Sequence, residues 1–215
     1  MRTKTLLLTA ALSAVSAAAA MAQTVYSVNA VGYVNKTITQ GSWQLIANPL
    51  VNGNNLLSTI LTDAPASTVV QKWNGTAFIS ATKVGTSWLG AAGSVAFKPS
   101  EGFFIKIPGT GTTTLTFVGE VAQNADSNIS FGTGYNLLGS VVPQTGKIQT
   151  DLQFPAKAND QILTLKADGS GYASVTKVGT TWIGAGGEPT IDVAQGFWLK
   201  TTAAGTWTRN FSVNQ

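Results

Sequence analysis

The chain has 215 residues, a net charge of +4 and 10% charged side chains, well below the roughly 25% usual for soluble proteins. It has neither histidine nor cysteine, which excludes Ser-His-Asp and Cys-His catalysis, the usual zinc, copper and haem sites, disulfides and a lipid-bearing leader cysteine. Lysines 36, 72, 83, 98, 106, 147, 157, 166, 177 and 200 are scattered rather than clustered along a face, so no nucleic-acid partner is expected.

In chain order, Arg2 and Lys4 open an apolar run from Leu6 to Ala20, and Ala20-Met21-Ala22 sets small residues at the two positions a signal peptidase inspects. Residues 1–22 therefore read as a Sec-type signal peptide cleaved before Gln23. A membrane anchor is the competing reading, but the run is marginal in length, rich in Ala, Ser and Thr, and ends in the A-x-A that an anchor lacks. No later segment approaches the ~18 apolar residues of a spanning helix. The expectation is an exported protein, extracellular, at the cell surface or periplasmic, with no integral membrane segment once the leader is removed. Loss of Arg2 and Lys4 lowers the net charge by two, so the basic balance of the full chain overstates that of the mature one.

The stretch Val28 to Val34 has strand character, and Asn54 and Asn55 precede Leu56, Leu57, Ile60 and Leu61 at the spacing of one buried helical face, stopped by Asp63-Ala64-Pro65. Gln71-Lys72-Trp73 and Thr76-Ala77-Phe78-Ile79 flank Asn74-Gly75, the dipeptide that most readily makes a two-residue hairpin turn. Then the chain repeats itself. Thr82-Lys83-Val84-Gly85-Thr86-Ser87-Trp88-Leu89-Gly90 returns as Thr176-Lys177-Val178-Gly179-Thr180-Thr181-Trp182-Ile183-Gly184. Gly102-Phe103-Phe104-Ile105-Lys106 matches Gly196-Phe197-Trp198-Leu199-Lys200, Trp43-Gln44-Leu45-Ile46 matches Tyr135-Asn136-Leu137-Leu138, and Val31-Gly32-Tyr33-Val34 matches Val118-Gly119-Glu120-Val121. The second hairpin turn, Asp168-Gly169-Ser170-Gly171, is longer than the first, as expected where insertions collect in loops.

These landmarks predict an all-β chain of two tandem pseudo-symmetric modules at 24–121 and 122–215, with at most short helical turns. β-sandwich-like modules are the first choice and small barrels the alternative. The modules are expected to pack through the shared segment around Phe117 to Val121, and Val25 to Val34 to pair with a sheet edge on a neighbouring molecule.

No phosphate-binding glycine loop or strand-to-helix GxGxxG is present, and no cofactor or metal is expected. Paired carboxylates are the one enzymatic arrangement left, but Glu101 becomes Gln195 in the second module and most acidic residues flank turns, so none is assigned a catalytic role. Asp168-Gly169-Ser170-Gly171 lacks further carboxylates at calcium-ligand spacing. Trp43, Trp73, Phe103 and Trp198 lie in apolar runs and read as core. Trp88 and Trp182 are bracketed by glycines in loop-like sequence, which makes them the candidate ligand-binding residues: an exposed indole stacks on a sugar ring or a partner protein, and the competing role is a buried plug.

Trp43-Gln44-Leu45-Ile46-Ala47-Asn48-Pro49, Lys72-Trp73-Asn74-Gly75 and Glu101-Gly102-Phe103-Phe104-Ile105-Lys106 resemble the W-N-L-I-x-x-P, W-N-G and G-(Y/F)-(W/F)-(I/V)-K landmarks of β modules in bacterial exported and cell-surface proteins. The segment Val25 to Val34 is similar to the mature start of uncharacterised exported proteins that form paralogous sets in environmental bacteria. The second module departs from the pattern, with Gly139-Ser140-Val141-Val142-Pro143 and no W-N-G. The resemblance implies an exported, non-enzymatic β protein. Together with the low charge, it leads to the expectation of a structural or adhesive component of the cell surface or extracellular matrix, associating with itself or other surface proteins. Polysaccharide binding through Trp88 and Trp182 is the alternative.

Overall fold

The computed structural model describes residues 30–209 and residue 211; the expected leader at 1–22 lies outside the described residues. The first half carries β1 (Val31–Thr39), β2 (Trp43–Ala47), a helical turn α1 (Leu57–Ile60), β3 (Val69–Trp73), β4 (Phe78–Val84), β5 (Ser87–Leu89), β6 (Gly102–Lys106) and β7 (Thr112–Glu120). The second carries β8 (Ile129–Phe131), β9 (Gly134–Gly139), β10 (Gly146–Lys147), β11 (Gln161–Leu165), β12 (Tyr172–Val178), β13 (Thr181–Gly184), β14 (Thr190–Ile191), β15 (Gly196–Thr201) and β16 (Gly205–Trp207). Two five-stranded antiparallel sheets, ordered β2-β6-β3-β4-β5 and β9-β15-β11-β12-β13, have the same topology. Both are open, so the barrel alternative gives way to sandwich-like packing.

The registers match as well as the orders. Leu45 faces Phe104 across β2–β6 as Leu137 faces Trp198 across β9–β15, and Lys83 faces Trp88 as Lys177 faces Trp182. Each sheet is covered by a two-stranded ribbon, the long β1–β7 in the first half and the short β8–β16 in the second. Ile38, Leu115 and Phe117 of the first ribbon meet Val70, Phe103 and Ile105 of the first sheet in one buried cluster. Phe131 and Trp207 of the second ribbon join Ile162, Phe197 and Leu199 in another, where the Trp207 indole N–H donates to the Leu152 carbonyl at 2.7 Å.

Local chemistry explains how three expected elements are built. The first hairpin turn spans 74–77 rather than two residues, with Trp73 paired to Phe78, because Asn74 Oδ1 accepts the amides of Thr76 at 3.0 Å and Ala77 at 2.9 Å and holds the wider loop. The expected short helix is one turn burying Leu57 and Ile60; Asn54 Oδ1 accepts from the Leu56 amide before it, while Asn55 turns at φ 53° and its Oδ1 accepts the Asn52 amide. The described part of the N-terminal strand finds a partner in the same chain, Tyr33 opposite Val118 and Val34 opposite Phe117; the rest of the expected pairing segment, 25–29, lies outside the described residues.

The two sheets meet through their outer faces rather than through Phe117 to Val121 alone. Strand β6 is buried on both sides: Phe103 and Ile105 enter the first core, and Phe104 points the other way into a separate cluster with Leu45 and Leu137, flanked by Trp43, Trp73, Leu165 and Trp198. Trp43, Trp73 and Trp198 are thus half-buried interface residues, and only Phe103 of the four expected core aromatics lies in a module core. Full burial of each large apolar side chain contributes about 1.5–3 kcal/mol, so this cluster is a substantial part of what joins the halves. The contact is reciprocal: Ile46 bridges to Gln195 and Leu138 to Glu101, and the Ala47 amide donates to the Ala194 carbonyl at 3.1 Å as the Gly139 amide donates to the Ser100 carbonyl at 2.8 Å. Such reciprocity is what a twofold-like relation between the sheets requires.

Candidate functional site

The glycine-bracketed tryptophans are strand residues, not loop residues. Gly85-Thr86 and Gly179-Thr180 are tight turns, with φ 60° at Gly85 and 57° at Gly179, and they return the chain directly into β5 and β13. Gly90 and Gly184 serve close approach: a Cβ on either would meet the carbonyl of Ser80 at 2.5 Å or of Ser174 at 2.4 Å. Strand alternation then turns Trp88 and Trp182 inward, where they are 9% and 8% exposed. This corrects the exposed-platform expectation: both rings close the end of a core, each beneath a buried lysine, with Lys83 Nζ 5.9 Å from the Trp88 ring and Lys177 Nζ 5.3 Å from that of Trp182.

The carboxylates act mainly on backbone. Glu101 Oε2 accepts the Lys98 amide at 2.8 Å and Gln195 Oε1 accepts the Asp192 amide at 2.8 Å, so acid and amide close the same turn. Glu101 also pairs with Lys72 at 2.6 Å. Glu188 takes the amides of Gln149 and Thr150 and the Thr150 hydroxyl, each at 2.7 Å. Burial there works to raise its pKa, but the Thr150 and Gln149 hydrogen bonds and the nearby Lys147 charge outweigh it and hold the carboxyl below its ordinary value. Asp168 Oδ1 accepts the Ser170 amide at 2.9 Å inside its hairpin turn. Among the described residues no three His, Cys, Asp or Glu side chains come together as a metal site.

A concave feature of the surface lies between the sheets. A cleft of about 1130 Å³ runs from the end of β3 and the start of β6 to β9, walled on one side by the 120–130 segment that links the halves. Trp73 and Tyr135 line it, and Tyr135 is 50% exposed with its ring edge-on to Trp198 at 5.9 Å. Among the described residues, buried Trp73 Nε1 has no hydrogen-bond partner. Asn124, Asp126 and Asn128 add side chains that make no hydrogen bond within the described chain, and the Lys72–Glu101 pair brings in two charges that cancel. Sequence reasoning passed over this set because its members come from separate elements. The visible signal was the polar run Gln123-Asn124-Ala125-Asp126-Ser127-Asn128 just past the module boundary.

The pseudo-equivalent position on the other side is filled. The longer second turn lies over the start of β2: Gln44 Nε2 donates to the Ala167 carbonyl at 3.2 Å, and a Cβ on Gly169 would lie 3.3 Å from the Trp43 carbonyl. One cleft is open where the fold provides for two.

Comparison of the chain with protein families, curated proteins and solved structures yields no significant match.

Proposed function

We propose that the protein is an exported, non-enzymatic adhesive component of the cell surface or extracellular matrix, and that its adhesive contact is a neutral glycan chain held in the cleft between the sheets. The observation that carries this reading is the pairing, in one cleft, of the half-exposed Tyr135 ring with the unengaged amide and carboxyl groups of Asn124, Asp126 and Asn128. An aromatic face suits the apolar face of a pyranose, while amides and carboxylates bond its hydroxyls without requiring a charged ligand. The leader-like start, the low charge and the landmarks shared with bacterial surface modules support the exported setting. The test is retention on insoluble polysaccharides and calorimetric titration with soluble oligosaccharides, comparing the protein with Tyr135→Ala and Asn128→Ala. Loss of binding in both variants, with unchanged melting temperature, is expected; binding that survives both removes the cleft reading.

Self-association is a second reading, favoured by the outer hairpins. Val84 and Leu89 lie exposed on one face of β4–β5, and Val178 and Ile183 repeat them on β12–β13, at the open far edges of the two sheets. Concentration-dependent light scattering that disappears in Leu89→Lys/Ile183→Lys is the expected sign, and a monomer at every concentration removes this reading.

A further inference from the structure

Asparagine followed two residues later by serine or threonine occurs at four places: Asn35-Lys36-Thr37, Asn74-Gly75-Thr76, Asn128-Ile129-Ser130 and Asn210-Phe211-Ser212. In an exported protein this spacing is the acceptor signal for N-glycosylation, whose enzyme must reach the carboxamide and the hydroxyl together on the surface. A chain rich in Asn, Ser and Thr contains such triplets by chance, so it is the structure that sorts them. Asn210 lies outside the described residues. Asn35 sits in the middle of β1, paired opposite Thr116, and its Oδ1 accepts from the Thr116 hydroxyl at 3.0 Å. Asn74 Oδ1 is taken up by its own turn, where it accepts the amides of Thr76 and Ala77 and, at 3.1 Å, the Thr76 hydroxyl.

Asn128 is free of such ties. It joins the helical turn 124–127 to β8 in extended backbone, with φ −91° and ψ 135°, and its carboxamide lines the cleft with no hydrogen bond among the described residues. The side chains alternate around it: Ser127 and Ile129 turn inward, 0% and 4% exposed, and Asp126, Asn128 and Ser130 stand outward. The three side chains an enzyme has to read are thus presented together, while the two between them fix the segment to the core. Asp126 also supplies a carboxylate two residues before the asparagine, where the other triplets have Tyr33, Lys72 and Thr208. The bacterial form of the reaction asks for an acid at that place, which pairs with a cationic side chain of the enzyme. We infer that Asn128 is the attachment site of an N-linked oligosaccharide. The donor class is an oligosaccharide carried on a polyprenyl diphosphate. Asn128 Nδ2 bonds to C1 of the first sugar, the bond from C1 to the diphosphate oxygen breaks, the Nδ2 proton passes to an enzyme base, and polyprenyl diphosphate leaves. The inference rests on the exported setting proposed above and not on the binding of added glycan in the cleft.

The test is peptide mass mapping of the protein isolated from the cells that make it. A sugar mass localised to Asn128 is expected, with Asn35 and Asn74 bare. Cleavage before Gln23, read in the same digest, reports export separately. An unmodified Asn128 on a cleaved chain overturns the inference alone, whereas an uncleaved, unmodified chain overturns the exported setting and the inference with it. A second measurement gives the purified, folded chain to a purified bacterial oligosaccharyltransferase with its lipid-linked donor. Modification should vanish in Asn128→Gln and Ser130→Ala. In Asp126→Ala it should fall at least about tenfold, the worth of one lost charge-assisted contact. Melting temperatures of the unmodified variants should match the parent, since all three side chains are exposed. Equal modification at Asn35 or Asn74, or full modification of Asp126→Ala, overturns the inference.

Discussion

Gly139 lies where the two sheets meet, and a methyl added there would sit 2.2 Å from Ala47 Cβ, where two carbons at rest prefer about 3.5–4.0 Å. Its φ is not positive, so Gly139→Ala perturbs the contact and leaves the backbone unstrained. Overpacking of this kind costs about 1–3 kcal/mol. Ala47→Gly alone removes a fully buried methyl, worth about 0.8 kcal/mol, and adds the roughly 0.5–1 kcal/mol cost of glycine in a strand. Ala47 and Gly139 are pseudo-equivalent, as their reciprocal bonds to Ala194 and Ser100 show, so the double variant carries the methyl to the other side of the pseudo-axis. It should come within about 1 kcal/mol of the parent and show a coupling of at least about 1 kcal/mol against the summed single effects. Urea unfolding of the four proteins measures this. Additive losses would refute the reasoning, since they would mean that the two residues do not share one space.

Trp88→Ala and Trp182→Ala should each lower stability by about 3–5 kcal/mol in the same assay, as buried aromatics do, without changing retention on polysaccharide. Glu188 has a folded pKa below its ordinary 4.5, so its contribution is fully present above that value and is lost as pH falls through the folded value. Acid unfolding should therefore show a component below about pH 4.5 that Glu188→Gln lacks, and identical acid limbs would count against it. Shortening the 166–171 turn to the length of 74–77 should uncover the closed second cleft, read as a second glycan site weaker than the first, because Asn124, Asp126 and Asn128 line only the first.

The repeated landmarks made much of the fold readable, because residues that fill equivalent positions in two sheets must recur in equivalent order. Leu45 with Leu137 and Phe104 with Trp198 were aligned by spacing alone, and the strand registers place them in matching pairs. What spacing did not disclose was the direction of each side chain in a run buried on both faces. Gly102-Phe103-Phe104-Ile105 shows no alternation, so nothing local says that Phe103 faces its own core and Phe104 the other sheet. The glycines around Trp88 misled for a related reason: a tight turn and a close backbone approach both demand glycine, and in sequence they look like a loose loop. The cleft was hidden because Trp73, Asn128 and Tyr135 come together only once the sheets have docked.

The duplicated fold departs from its own symmetry in two features. The first is turn length. The 166–171 turn reaches Gln44 and Trp43 across the interface, whereas Asn74 ties the shorter 74–77 turn back on itself through the amides of Thr76 and Ala77, and the space beside Tyr135 stays open. The second is the link between the halves, whose Asn124, Asp126 and Asn128 supply polar groups to the open side. The reciprocal bonds at Ala47 and Gly139 lie next to the pseudo-axis and are unaffected by either change. The docked sheets thus keep a symmetric, apolar contact that holds them together, while the asymmetry is confined to loops, where insertions cost little stability. The same division recurs at the buried lysines: the strand pairs Lys83–Trp88 and Lys177–Trp182 are alike, and the difference lies in Gln149, carried by a turn and accepting from Lys177 Nζ at 2.6 Å, against Leu57 of α1.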